Sequence, residues 1–133
     1  MVHSFGQMTA IDQMTINCYS IHESVVFYEI VPGLSHVNRP AWGPALHLYQ
    51  LPGAKLELIE YKTEQKRIQA GNTDTGIYRH MALRTSDIKE VQSRCEKAGY
   101  GFNLKPTAIE QLNGMVVMLI VDPNGVEIEI IQD

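Results

Sequence analysis

Between Gln13 and Tyr19 the chain alternates: Met14, Ile16 and Cys18 are apolar, while Gln13, Thr15, Asn17 and Tyr19 are polar or amphipathic. A period of two marks a strand with one covered face. Ser20 to Ser24 read as the start of a helix. Ser24, Val25, Val26, Phe27, Tyr28, Ile30 and Val31 then form a short amphipathic segment, and Pro32-Gly33 ends it. A short strand is expected near Leu34 to Asn38 and a longer one over Ala45 to Leu51, with Pro52-Gly53 as its turn. Lys55 to Tyr61 alternates again, with Leu56 and Leu58 on one face and Glu57, Ile59 and Tyr61 on the other. Residues 63–76 are polar and contain Gly, Thr and Asn; they read as a linker, with a helical turn expected near Glu64 to Gln69.

The pattern then restarts. Ile77 to Thr85 reads as a strand, and Ser86 or Asp87 caps a helix that runs to Lys97, with Gly99 as its C-terminal glycine. Phe102 to Lys105 predicts a short strand and Met115 to Val121 a strong one. Asp122-Pro123-Asn124-Gly125 is a turn signal, followed by a strand in which Glu127, Glu129 and Ile131 alternate with Val126, Ile128 and Ile130. The order is therefore β-α-β-β-β, a linker, and β-α-β-β-β again. Residues 1–10 predict a loose N-terminal segment. Residues 11–133 predict a single α+β domain of two βαβββ modules, 11–62 and 77–133.

Composition narrows the function classes. Hydrophobic residues make up 44% of the 133 positions and charged residues 20%, the usage of a globular chain. The formal charge of −4, with no block of Lys and Arg, argues against a nucleic-acid partner. The apolar run Met115 to Val121 is too short to span a bilayer, and no charged-then-apolar leader opens the chain. Cys18 and Cys95 form no CxxC site and read as core thiols. The expectation is a cytoplasmic domain with no membrane partner.

The strand faces carry the candidate chemistry. Met14/Ile16/Cys18, Leu56/Leu58, Met81/Leu83 and Ile128/Ile130 form apolar faces that helices must cover. The opposite faces hold Gln13, Glu57, His80 and Glu127 with Glu129, at repeat-equivalent strands: Gln13 and His80 on the first, the glutamates on the last. One imidazole, an amide and carboxylates suit a divalent metal used as a Lewis acid, if the halves pair around a pseudo-twofold axis. Glu60 shares the face of Leu56 and Leu58, so Glu57 is the better candidate; alternation does not separate Glu127 from Glu129. The plainer reading is a set of solvated strand residues.

Three segments resemble the vicinal-oxygen-chelate superfamily, which includes glyoxalase I, methylmalonyl-CoA epimerase, extradiol dioxygenases and fosfomycin and bleomycin resistance proteins. They are Ile11-Asp12-Gln13-Met14-Thr15-Ile16 with Ser24, Phe27-Tyr28-Glu29 and Gly33-Leu34; Tyr78 to Leu83 with Asp87-Ile88; and Asp122-Pro123-Asn124-Gly125 through Ile130. With Leu56-Glu57-Leu58 they cover nearly the whole chain from Ile11. The resemblance implies a paired half-barrel, and metal ligands at Gln13, Glu57, His80 and Glu129, so it prefers Glu129 over Glu127. A Gln/Glu/His/Glu set is most similar to glyoxalase I enzymes that carry Gln first. Extradiol dioxygenases use two His where this chain offers one, and the epimerases place His first and Gln second. The implied cofactor is one divalent ion per site: zinc, nickel, cobalt or manganese.

The implied activity is that of a glyoxalase I-like lyase or isomerase acting on a small chelating substrate. Glu129 would be the leading base and Glu57 its partner, moving a proton α to a carbonyl. Asn17 stands where that enzyme has Arg, and Tyr61 where it has Asn, so its glutathione contacts are not reproduced. Asn17, Tyr61 and Arg84 are the candidate substrate residues, Arg84 and Lys55 suiting an anionic group. Tyr19 and Tyr78 are candidate pocket walls, and Trp42 a lid or dimer contact. The alternatives are a non-catalytic ligand- or drug-binding protein of the same fold, and an epimerase. Family habit also implies a homodimer.

Overall fold

The computed structural model describes residues 6–37, 45–61, 63, 71 and 73–133. Residues 6–10 carry no regular element, and the alternating segments after them become strands. The first half holds β1 (Gln13–Asn17), α1 (Ile21–Ile30), β2 (His36–Val37), β3 (Ala45–Leu51) and β4 (Ala54–Glu60). The second holds β5 (His80–Thr85), α2 (Ile88–Lys97), β6 (Phe102–Ile109), a single 3-10 turn at Glu110–Leu112, β7 (Met115–Val121) and β8 (Glu127–Gln132). Each half forms its own four-stranded sheet, ordered β1-β4-β3-β2 and β5-β8-β7-β6. In each, the first strand lies parallel to the last and the others pair antiparallel. This is the expected α+β architecture of two βαβββ modules.

Helix α1 starts at Ile21, inside the expected entry from Ser20 to Ser24, because the Ser20 hydroxyl accepts the Glu23 N–H at 3.2 Å and caps it. Other boundaries differ from expectation, each for a local reason. Strand β5 starts at His80 and not Ile77: its pairing with β8 opens at His80–Glu127, and Ile77 and Tyr78 stay exposed at 42% and 73%. Strand β6 runs four residues past Lys105, through Pro106. It is the sheet edge, where a missing N–H is tolerated, and its register with β7 shifts between Leu104 and Thr107. The turn expected at Glu64 to Gln69, and Trp42, lie outside the described residues.

The two halves share one core. Phe27, Tyr28, Val31, Tyr49, Leu56 and Leu58 of the first join Ile88, Val91, Cys95, Met118, Ile120 and Ile128 of the second in one buried cluster. Helix α1 covers β3 and β4, and α2 covers β6 and β8. Between halves, the Phe27 and Tyr100 rings meet edge-on, with centroids 4.8 Å apart. Arg94 of α2 donates to the Val31 carbonyl at the end of α1, at 3.1 and 2.9 Å.

The Asp-Pro-Asn-Gly turn ties the halves most tightly. Asp122 is buried, and its carboxylate accepts the Tyr28 hydroxyl at 2.7 Å, the Val126 N–H at 2.8 Å, and the Asn124 N–H and side-chain amide at 2.8 and 3.0 Å. Asn124 in turn accepts the Tyr19 N–H at 2.8 Å and donates to the Ser24 hydroxyl at 3.1 Å. Cys18 and Cys95 are buried thiols, as expected. Among the described residues no helix is long and apolar enough to cross a membrane.

Candidate functional site

Because the apolar faces of both sheets meet in the shared core, the polar face of each sheet turns away from it. Parallel pairing then decides which side chains are neighbours. In the first half Gln13 sits beside Lys55, and Thr15 beside Glu57. In the second, His80 sits beside Glu127, and Ala82 beside Glu129. Gln13 and Glu57 are thus diagonal neighbours, and so are His80 and Glu129.

The first half-site is a hydrogen-bonded set. The Gln13 amide donates to Glu57 Oε1 at 3.3 Å and to Thr15 Oγ1 at 3.4 Å, and the Thr15 hydroxyl donates to the same Glu57 oxygen at 3.0 Å. Thr15 was visible on the polar face but the pattern gave it no role. Lys55 takes no part, its ammonium lying 3.2 Å from Asp12.

The second half-site is built around His80. Its Nε2 lies 3.8 Å from Glu129 Oε1, and its Nδ1 lies 2.6 Å from Glu127 Oε1. Arg79 Nε reaches that Glu127 oxygen at 3.0 Å, and the Asn103 amide donates to the other at 2.9 Å. Burial by itself would raise the Glu127 carboxyl. The hydrogen bonds from Asn103 and His80, with the charge of Arg79, outweigh that and hold it below the usual carboxylate range. Arg79 and Asn103 were missed from sequence; only the long-range pairing brings them to Glu127.

Alternation assigned the faces well. Glu60, excluded for sharing the Leu56/Leu58 face, indeed turns toward the helix, where it accepts the Ile21 N–H at 2.6 Å. The convergence of all four ligand-type residues is a different matter. Within one chain they form two pairs, and among the described residues no three of His, Cys, Asp and Glu stand close enough to hold one ion. Of the candidate substrate residues, Asn17 and Tyr61 end β1 and follow β4, both exposed. Arg84 is drawn to Asp133, its Nε 3.4 Å from the carboxylate. Arg84 also lines a cavity of about 650 Å³ between the halves, walled by Pro32 to Ser35, Gln50 to Pro52, Leu83 and Asp133; none of the four ligand-type residues opens onto it.

The donor set fits a divalent ion in kind. An imidazole nitrogen with its other nitrogen already hydrogen-bonded, two carboxylates and an amide are ligands that zinc, nickel, cobalt or manganese accept.

Comparison with known proteins agrees with this architecture. Among solved structures the chain is similar to a superfamily member from Sphaerobacter thermophilus, at 17% identity over 95% of this chain and 98% of that one, with a TM-score of 0.70. It is also similar to a virulence protein from Salmonella typhimurium, at 24% identity, 95% and 98% coverage and a TM-score of 0.67. An integron cassette protein from the mobile metagenome of V. cholerae matches at 20% identity, 95% and 96% coverage and a TM-score of 0.68. Among curated proteins none matches the sequence. The family model for the glyoxalase/bleomycin resistance protein/dioxygenase superfamily matches residues 10–130. The chain, on sequence match and fold together, belongs to that superfamily.

Proposed function

We propose that the protein is a metal-dependent lyase or isomerase of the glyoxalase type, and that a second copy of the chain completes its site. One observation carries this: Gln13/Glu57 and His80/Glu129 occupy the same diagonal position in two equivalent sheets, yet remain separate pairs in one chain. Two copies related by a twofold axis would set the first pair of one chain against the second pair of the other, giving two complete four-ligand sites.

Gln13, Glu57, His80 and Glu129 would hold the ion, whose contribution when bound is to polarise adjacent substrate oxygens. Glu129 then serves as the base for a proton α to the carbonyl, with Glu57 facing it across the site. Gln13 and Thr15 steady Glu57 by donating to its Oε1. The substrate is a small molecule with two neighbouring oxygens. The glutathione contacts of glyoxalase I are not reproduced at Asn17 and Tyr61, so other thiol adducts belong in the screen.

The cavity between the halves supports a second reading, a ligand-binding protein without catalysis. Metal content separates the two. Protein purified without affinity tag or chelator should carry about one divalent ion per chain, and Glu129→Gln should lose it. Sharing is tested by mixing. A Gln13→Ala/Glu57→Ala chain and a His80→Ala/Glu129→Ala chain should each bind no metal alone, and regain one site per mixed dimer. No uptake of zinc, nickel, cobalt or manganese by the wild-type protein would leave the ligand-binding reading.

A further inference from the structure

The two half-sites differ at a position beside the first ligand-type residue that the ligand set does not use. Beside Gln13 the neighbouring strand offers Lys55, and beside His80 it offers Glu127. An amide ligand has a fixed oxygen to present. An imidazole does not: either nitrogen can carry the proton, and only the bare one can bind a metal. A histidine in such a site therefore needs something to choose its tautomer, and the glutamine needs nothing of the kind.

We propose that Glu127 is a positioning residue that fixes the His80 tautomer, keeping the proton on Nδ1 and leaving Nε2 bare on the side of Glu129. This rests on the metal-site reading above. The carboxylate is an acceptor only, so the 2.6 Å contact to Nδ1 requires a proton on that nitrogen. The neutral ring then has its lone pair on Nε2, the nitrogen 3.8 Å from Glu129.

Glu127 is itself immobilised. It is 7% exposed, and its two oxygens are taken by donors, Oε1 by His80 and Arg79 and Oε2 by Asn103. A carboxylate so engaged cannot swing to a second role without giving up all three donors at once, the half-buried imidazole among them, while its own oxygens stay out of water. Its place is therefore behind the imidazole, with Glu129 the carboxylate left for the ion. That separates the two glutamates that alternation put on one face.

Histidine tautomers are read directly by long-range 1H–15N correlation on metal-free, histidine-labelled protein near pH 8. Wild-type His80 should show the Nδ1–H form. Glu127→Leu should shift it toward Nε2–H and weaken zinc binding, by calorimetry, about ten- to hundredfold. Glu127→Gln keeps an acceptor oxygen and should restore most of both. Glu129→Gln should abolish zinc binding and leave the tautomer unchanged. Should Glu127→Leu fail to fold, Asn103→Ala decides by loosening Glu127 from behind: a mixed tautomer with weaker zinc binding supports the assignment. An unchanged tautomer in Glu127→Leu, or in Asn103→Ala where that variant decides, overturns it. Absence of zinc binding in the wild-type protein overturns the metal reading instead, while the tautomer comparison on metal-free protein still tells whether Glu127 orients the ring.

Discussion

The halves of this molecule share a fold and diverge in how they hold their polar groups. Gln13 and His80 open equivalent strands, and Glu57 and Glu129 lie diagonally across from them. In the first half the ligand-type residues satisfy one another, with Gln13 and Thr15 both donating to Glu57. In the second, Ala82 stands where Thr15 would be, and support comes from behind the imidazole, through Glu127, Asn103 and Arg79. Duplication supplies the geometry twice. The side chains around it then specialise, one half toward steadying a carboxylate and the other toward aiming a nitrogen.

The same asymmetry governs the turns before the last strand of each half. Between β3 and β4 the chain turns on Pro52-Gly53, where Gly53 has a φ of 87° and no heavy atom would lie within 4 Å of an added Cβ. Between β7 and β8 the turn is buried and Asp122 accepts four hydrogen bonds, one from Tyr28 in the other half. Asp122→Ala should cost at least about 3 kcal/mol, since it strands buried donors in both halves. Gly53→Ala should cost only about 1 kcal/mol, the backbone strain of a left-handed residue with room to spare. Urea unfolding of both variants checks this, and a Gly53→Ala cost equal to that of Asp122→Ala would break the comparison.

How much of this was legible follows from what periodicity can reach. Period two assigned each residue a face, which isolated Gln13, Glu57 and His80 and sent Glu60 to the helix side. It left Glu127 and Glu129 together, because residues two apart on a strand always share a face. Only the register across β5 and β8, a contact over 47 residues of chain, places Glu127 behind His80. Ile77 to Arg79 failed as strand for a related reason: their pattern fits, but β8 begins opposite His80. Pro106 hid the second half of β6, since a strand that tolerates proline is recognised only once it is known to be an edge. Whether four ligands meet within one chain or between two depends on which faces pack into the core, and no local pattern records that.

The helices extend the comparison to the core. The eighth residue of α1 is Tyr28 and the eighth of α2 is Cys95, both fully buried. Burial pushes the Tyr28 phenol well up, aided by the Asp122 carboxylate, and pushes the Cys95 thiol up to about 11. Both groups lose protons more easily in the unfolded chain, so their contribution is fully present below the ordinary pKa values near 9 and 10. It is lost as pH rises beyond them. Stability should therefore fall between about pH 9 and 11, with Cys95 contributing on the order of 2–3 kcal/mol. Cys95→Ala should flatten that fall in urea titrations from pH 8 to 11, whatever it costs at neutral pH. A slope unchanged in the variant would assign the alkaline loss to the other groups that burial pushes up, Tyr28, Tyr49, Tyr100 and Cys18.

The finest contrast lies where each last strand reaches back to its helix. Glu60, at the end of β4, accepts the Ile21 N–H that opens α1, and Gln132, at the end of β8, accepts the Ile88 N–H that opens α2. Ser20 and Asp87 cap the next turn of each helix by accepting from Glu23 and Glu90. The two anchors do equivalent work by different physics. Glu60 brings a negative charge to the positive end of a helix, whereas Gln132 is neutral and also donates to the Ser86 carbonyl at 2.9 Å. Glu60→Gln keeps an acceptor and removes only the charge, so it should cost about 0.5–1 kcal/mol at low salt and less at 1 M salt. Gln132→Ala removes uncharged hydrogen bonds and should cost about 1 kcal/mol at either salt concentration. Paired melts at both ionic strengths read the difference. A salt-dependent cost at Gln132, or a salt-independent one at Glu60, would show that the halves hold their helices by the same means after all.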